Sequence, residues 1–561
     1  MKPVRGVEDA PFDPAEPVIE AAPARGGVRV MALCFGVAFL LLAGRAVQLA
    51  VSGDPVGAQA AAAQPSPAIV ARGDLVDRNG ELLATNLIGF ALTATPARVW
   101  NPPETARRLR TLFPDLDEAT LLRRLGETGR TVVYLRRGLT PPQRDAVMEL
   151  GLAGIGFEAE ERRVYPHETL AGHILGYADR DMRALAGIER GLDAQIRAAG
   201  SAGRIVRLSL DVRIQHAVEQ ELSDAATRLR AAGAAAIVLD GRTGETLALA
   251  SWPAMDPNRP ARAPPEARLN RAAGALFEMG STLKPFTLAM ALDTGAVRAG
   301  ETFDVETPYI VDGRRIADLH PVAGRLGLGE ILARSSNIGA AQIALRVGAD
   351  RQRRSFEALG FLRRSGIEAP ESAQPLAPAR RDDLSVAILG YGHGMALSLA
   401  SVAEAYTVFA NDGARAAPTL LARAPSDAAP LAPVFTPETT RRVLAMMRAS
   451  VTDGTGRNAD VPGLEIAGKT GSAEKPGASG YDPDRMLSSF AAVFPASNPR
   501  YVIVLALDEP ARTEAAGGQA TGGAVAAPSV ARIAARIAPM LGLSVEPVRR
   551  AAQDAPRGDE Q

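Results

Sequence analysis

One cysteine, Cys34, is all that 561 residues contain, so neither an internal disulfide framework nor a cysteine-rich metal site can be built. Because Cys34 lies in an apolar segment, it carries no information about redox compartment. The five histidines, at 167, 173, 216, 320 and 393, have no metal-ligand spacing, and neither a metal nor a cofactor is expected. Aromatics are only 4% of the chain, while Gly (54) and Pro (41) are frequent, so the cores must rest on Ala, Leu and Val between many turns. Formal net charge is zero, which gives no reason to expect nucleic acid or another polyanion as a partner. Lysine is the scarcest cation. Lys2, Lys284, Lys469 and Lys475 are the only four in a Lys plus Arg total of 63. A chain that writes its positive charge as arginine almost everywhere has kept a few amines, and an amine differs from a guanidinium in being able to lose its proton.

The stretch FEMGSTLKPFTLAMAL (277–292) places Ser281 three residues before Lys284. On a helix those positions are neighbours on one face, so the amine could reach the hydroxyl. Pro285 is tolerated only near the first turn of a helix, which puts Ser281 at or beside the N-terminus. Free backbone N–H groups and the helix dipole there favour a developing oxyanion. An ordinary lysine is neutral only about once in 2,500 molecules at pH 7. A working base therefore needs burial and a neighbouring cation to lower its pKa, and Lys469 is the candidate cation. Taken alone, S-x-x-K is more often a cap and a solvated charge.

At 561 residues the chain is long enough for two or three domains. Residues 1–27, rich in Pro, Ala and acid, read as a disordered cytoplasmic tail. Val30 to Gly44 carry no charge. With Arg45 snorkelling, the apolar run reaches about Val51, enough to cross roughly 30 Å of hydrocarbon, so 28–51 is expected to be a transmembrane anchor. Arg25 and Arg29 precede it and no Lys or Arg lies between 46 and 71, which puts the tail inside and the remainder outside the cytoplasmic membrane. A signal peptide cleaved near Ala58-Gln59-Ala60 is the other reading of the same run. After a Pro/Ala linker (54–69), residues 54–230 read as a mixed α and β scaffold, with a hairpin about Asn79-Gly80 and helices at 103–113, 116–125 and 141–152. In 231–541, strands at 235–251, 464–473, 488–496 and 500–510 flank a helical middle, predicting one antiparallel sheet covered by helices. Residues 542–561 form a charged tail expected to be disordered.

GLEIAGKT (463–470) fits a phosphate-loop pattern, and VIVLALDE (502–509) could be the strand that ends in a magnesium-binding acid. That pattern requires a helix directly after Lys-Thr. Pro476, Gly477, Gly480 and Pro483 exclude one, so the nucleotide reading is rejected.

A third segment, LARSSNIGAAQIA (332–344), starts a helical run at Ser335-Ser336-Asn337, where such residues are ordinarily caps. With S-x-x-K at 281, S-x-N at 335 and K-T-G at 469, the chain resembles the penicillin-binding proteins and serine β-lactamases, whose motifs occur in this order. RGDLVDRNGELLA, RRVYPHETLAGHILGY and GIERGLDAQI resemble the pedestal motifs of class B penicillin-binding proteins. Asn337, with GYGHGMALSLASVAEAY downstream, resembles the division-specific, penicillin-binding protein 3 branch. Met279 stands where Pro often precedes Gly-Ser, and Glu168 stands where Gly is usual after Tyr-Pro-x.

The resemblance implies a membrane-anchored serine DD-transpeptidase that cross-links peptidoglycan stem peptides at the septum and is acylated by β-lactams. Ser281 would attack the penultimate D-Ala carbonyl while neutral Lys284 takes its proton. Ser335 would relay a proton to the departing D-Ala, Asn337 would position the substrate amide, and Lys469 would supply positive potential. Thr470 and Ser472 would bind the terminal carboxylate, and the Ser281 and Ser472 N–H groups would form the oxyanion hole. Gly468 and Gly471 would let a substrate strand approach closely. The partners implied are a polytopic lipid II glycosyltransferase and other division proteins. The alternatives are an elongation transpeptidase, a carboxypeptidase or β-lactamase, and a scaffold or β-lactam sensor that acylates without turnover.

Overall fold

The computed structural model describes residues 25–52, 72–424, 427, 431–477 and 480–544. Residues 1–24 of the expected tail, the Pro/Ala linker and the C-terminal tail beyond 544 lie outside the described residues. The chain divides into two units, 1–69 and 70–561. The first contributes helix α1 (Arg25–Ser52), which exposes Leu33, Phe35, Phe39 and Leu41.

In the second unit, strands β1 (Leu75–Val76), β2 (Leu82–Ala94), β3 (Val133–Leu139), β4 (Ile155–Val164) and β5 (Val206–Arg207) form one sheet. Its order is β3-β2-β1-β5, with β4 also pairing β2. Asn79-Gly80 makes the β1–β2 turn as its sequence predicts: Gly80 has φ +95°, and Asp77 Oδ1 accepts from Asn79 N and Glu81 N. The three helices foreseen here occupy Pro102–Leu112, Glu118–Leu125 and Pro141–Glu149.

The motif residues of this region converge on one buried charge network. Arg72 Nε donates to Glu189 Oε2 at 2.8 Å and Arg163 Nε to Glu189 Oε1 at 2.7 Å. A second Arg72 nitrogen reaches Asp193, and Arg163 also donates to Gly73 O. Segments far apart in sequence are thereby tied through Glu189, which is fully buried. Glu189→Ala would leave two buried guanidinium groups short of a carboxylate. We expect a loss of about 3–5 kcal/mol, read as a lower midpoint in urea denaturation. Glu168 sits at φ +54°, a left-handed conformation that glycine adopts without strain, which accounts for the glycine usual at this point.

Helix α2 (Val212–Arg228) leads to the second sheet. Its strands are β6 (Gly233–Asp240), β7 (Thr246–Trp252), β8 (Ala467–Gly477), β9 (Gly480–Phe494) and β10 (Tyr501–Asp508). The order is β8-β9-β10-β6-β7, antiparallel throughout. Central strands are apolar on both faces: Val502, Val504 and Ala506 join one core, while Ile503, Leu505 and Leu507 join the other. The second core is closed by α2 together with α8 (Ala527–Ile537), anchored by Arg532 Nε on Glu221 at 2.9 Å. Among the described residues, Gly522–Leu541 is the one stretch long and apolar enough to cross a membrane, and half of it is buried in the fold as a core helix. The first core holds α3 (Lys284–Asp293), α4 (Leu328–Arg334), α5 (Asn337–Val347), α6 (Leu399–Tyr406) and α7 (Pro437–Thr452).

Two details differ from expectation. The strand expected to end at 473 runs on to Gly477 in the β8–β9 hairpin, in which Pro476 pairs with Tyr481. β8 is an edge strand, where a missing N–H costs little. The strand itself begins at Ala467 rather than 464, because Glu465 takes φ +46° and turns the chain.

Candidate active site

Ser281 occupies a 3-10 turn, Gly280–Leu283, immediately before α3. Pro285 is the second residue of α3, which fixes the helix start as its position predicts. Thr282 holds the turn: its Oγ1 donates to Met279 O at 2.8 Å and its carbonyl accepts from Tyr406 Oη at 2.7 Å. Around it α3 is buried from Lys284 to Ala291, with Phe286 edge-on to Phe361 and Tyr406. Gly392 lies against the turn so closely that a Cβ there would come within 1.9 Å of Gly280 O.

Lys284 points inward and has no solvent exposure. Its Nζ donates to Ser335 O at 2.5 Å and Asn337 Oδ1 at 2.8 Å, with Ser335 Oγ at 3.2 Å. No hydrogen bond joins it to Ser281 Oγ among the described residues. The direct contact that the sequence spacing suggested is replaced by stronger acceptors, a carbonyl and an amide oxygen, on the next motif. A neutral amine has two N–H groups, which match the two short contacts and leave its lone pair free for a hydroxyl.

Ser335 presents its carbonyl and hydroxyl to Lys284 because it ends α4 in the left-handed conformation, φ +63°. Ser336 is the N-cap of α5, accepting from Gly339 N. Asp318 backs this corner: its carboxylate accepts from Ser336 Oγ at 2.6 Å and from the Asn337 and Ile338 N–H groups. A carboxylate on the N-terminus of α5 is electrostatically favoured and locks the position of Asn337.

On the other side lies β8. Lys469 is fully buried and its Nζ donates to Thr470 O and Thr470 Oγ1 at 3.1 and 3.0 Å. Thr470 Oγ1 also meets Thr455 Oγ1 at 2.9 Å, and Ser472 Oγ accepts from Gly522 N at 2.9 Å. Gly471 does a different job from the one expected of it. A Cβ there would approach Ser489 Oγ at 2.3 Å and Met279 O at 2.6 Å, so its smallness lets the Ser281 turn pack on the strand. Gly468 likewise yields to the Phe490 ring, at 2.5 Å, rather than to a ligand.

Burial first, and the charge of Lys469 second, hold Lys284 well below the ordinary lysine range, with Asp318 pulling the other way. Burial lowers Lys469 to about 7. Ser281, Ser335, Asn337, Thr470 and Ser472 line one cavity of about 530 Å³, under which both amines are buried. Asp318, Thr455 and the Gly522 segment escaped the sequence reading. None has a motif of its own, and each acts only by folding onto one.

An alcohol at this cavity, two buried amines beneath it and an edge strand beside it define an acyl-serine transferase site on an antiparallel sheet. The chain belongs to the penicillin-binding protein family. The penicillin-binding protein transpeptidase domain matches residues 234–535, and the penicillin-binding protein dimerisation domain matches 67–208. Within that family it is of the penicillin-binding protein 3 type. It is 43% identical over 484 residues to the probable peptidoglycan D,D-transpeptidase FtsI of Caulobacter vibrioides, covering 84% of this chain and 82% of that one. It is 29% identical to the peptidoglycan D,D-transpeptidase FtsI of Escherichia coli K12, with 82% and 81% covered. The crystal structure of penicillin binding protein 3 from Mycobacterium tuberculosis complexed with aztreonam superposes with a TM-score of 0.67 at 26% identity, covering 85% of this chain and 97% of that one.

Proposed function

We propose that this protein is a serine D,D-transpeptidase that cross-links peptidoglycan stem peptides during cell division and is acylated by β-lactams. The observation that carries the reading is Lys284: an amine whose pKa is lowered first by burial and then by the charge of Lys469, held by Ser335 and Asn337 beside the cavity that Ser281 lines. Neutral Lys284 accepts the Ser281 proton as Oγ attacks the penultimate D-Ala carbonyl, and the Ser281 and Ser472 N–H groups receive the oxyanion. Ser335, bonded to the same amine, passes the proton to the leaving D-Ala nitrogen. Asn337 positions the substrate amide. Lys469 draws the terminal carboxylate, which Thr470 and Ser472 bind through their hydroxyls, while Gly471 keeps the strand against the nucleophile turn.

Residues 231–541 would then be the catalytic domain and 54–230 the pedestal, a division supported by the two family matches. Helix α1 is about 42 Å long, more than a bilayer core by length alone, and the exposed Leu and Phe side chains of its shorter apolar part, Leu33–Arg45, suit lipid. On this reading residues 1–27 lie in the cytoplasm and the catalytic domain outside, which the charge asymmetry about the span supports: Arg25 and Arg29 precede it and no Lys or Arg lies between 46 and 71. Association with a polytopic lipid II glycosyltransferase and other division proteins is part of the same proposal, resting on family resemblance.

The test is product formation from a D-Ala-D-Ala stem peptide and an amine-bearing acceptor. D-Ala release coupled to a new amide is expected. Release with hydrolysis alone would indicate a carboxypeptidase, and acylation without release a sensor.

A further inference from the structure

A cluster with no part in the acylation chemistry adjoins the Ser281 cavity through His393, whose ring packs on Tyr481, itself bonded to Glu278. Glu278 lies three residues before the nucleophile, accepting from Tyr481 Oη at 2.9 and 3.0 Å and from Gly394 N at 3.2 Å. His393 lines the cavity itself, its ring 5.2 Å from Tyr391 and 5.8 Å from Tyr481. Its Nδ1 is buried without a hydrogen-bond partner, which a structural histidine would avoid. Burial keeps this imidazole below its ordinary range; Glu278 and Glu474 oppose that and Lys284 reinforces it. Burial and Glu278 also keep Tyr391 and Tyr481 uncharged, raising each to about 12. The group therefore offers one carboxylate, one imidazole lone pair and one phenolic oxygen, all acceptors, next to the cavity that Ser281 lines.

We propose that Glu278, His393 Nδ1 and Tyr481 Oη form the subsite that receives the ammonium group of the acceptor. The proposal rests on the transpeptidase reading above. A cation with three N–H donors matches three acceptors, one of them charged. The arriving ammonium loses one proton to water. Its nitrogen then forms the C–N bond to the acyl carbon, the C–Oγ bond of Ser281 breaks, and the second proton returns to Oγ through Lys284. Water carries no charge for Glu278 to attract, so the subsite favours transfer over hydrolysis.

The experiment loads the full-length enzyme with a D-alanyl thioester donor and partitions the acyl-enzyme between water and one of two nucleophiles. One is a stem peptide with a side-chain ammonium; the other is hydroxylamine, largely uncharged at neutral pH. The ratio of transfer to hydrolysis comes from a single acyl-enzyme population and does not depend on how fast that population forms. Glu278→Gln is expected to lower the ratio for the cationic peptide roughly tenfold while hydroxylamine stays within about twofold. His393→Phe should lower it severalfold with the same selectivity. Unchanged ratios in both variants, or equal losses for both nucleophiles, would overturn the subsite. Failure of the unaltered enzyme to form any acyl-enzyme would instead remove the transpeptidase reading and this proposal with it.

Discussion

Lys284→Arg is expected to slow β-lactam acylation by about 10²–10⁴-fold, the contribution of a positioned general base. The substitution keeps a long cationic side chain and N–H donors for Ser335 O and Asn337 Oδ1, the two short contacts of the native amine. What it removes is the ability to become neutral, since a guanidinium does not deprotonate in proteins. Any role of Lys284 as a fixed charge or a mere anchor would survive the change, so the variant separates base from scaffold. The rate is read as the growth of fluorescence from a labelled penicillin bound to protein whose circular dichroism matches the native enzyme. A rate within about threefold of native would refute the assignment.

Ser281→Ala is expected to eliminate the covalent adduct altogether while leaving the fold intact. The Ser281 hydroxyl makes no hydrogen bond to any described residue, and the turn is held instead by Thr282 and Tyr406. Removing one oxygen from a partly exposed side chain should change stability by no more than about 0.5 kcal/mol. Intact-protein mass spectrometry after exposure to benzylpenicillin reads the first effect, and the urea midpoint the second. An adduct of the same mass in the variant would transfer the nucleophile's role to another side chain. Ser335, hydrogen-bonded to the same amine, would be the first to examine.

The parts of this molecule that sequence reveals are those whose signal is local. The antiparallel sheet is legible in short continuous apolar runs such as Val502 to Leu507, bounded by turn residues, and the helix start in Pro285. The rejection of a phosphate loop holds because Lys469-Thr470 runs on into an edge strand rather than a helix. The three motifs are legible from their order, since each is a compact run of a few residues. What escapes is made by long-range contact. Asp318 becomes meaningful only when it caps α5, and Thr455 only when it meets Thr470. Glycines mislead for the same reason. Gly471 looks like room for a ligand but is room for Met279 O, because sequence does not reveal which neighbour will fill the space. Spacing alone points Lys284 at Ser281, whereas its bonds go to Ser335 and Asn337. In an interior away from water an amine turns to the best acceptors in reach, and those stand 51 and 53 residues further along the chain.

The central claim is that Lys284 is uncharged when the enzyme is ready to react. Scarcity of lysine makes this directly observable, because ¹⁵N-lysine labelling yields only four Nζ environments, which Lys284→Arg and Lys469→Arg assign. The account predicts a Lys284 nitrogen already in its neutral form at the pH where β-lactam acylation proceeds, with Lys469 titrating near 7. A Lys284 resonance that stays that of an ammonium ion up to the ordinary lysine pKa, in enzyme that is acylating normally, would contradict it.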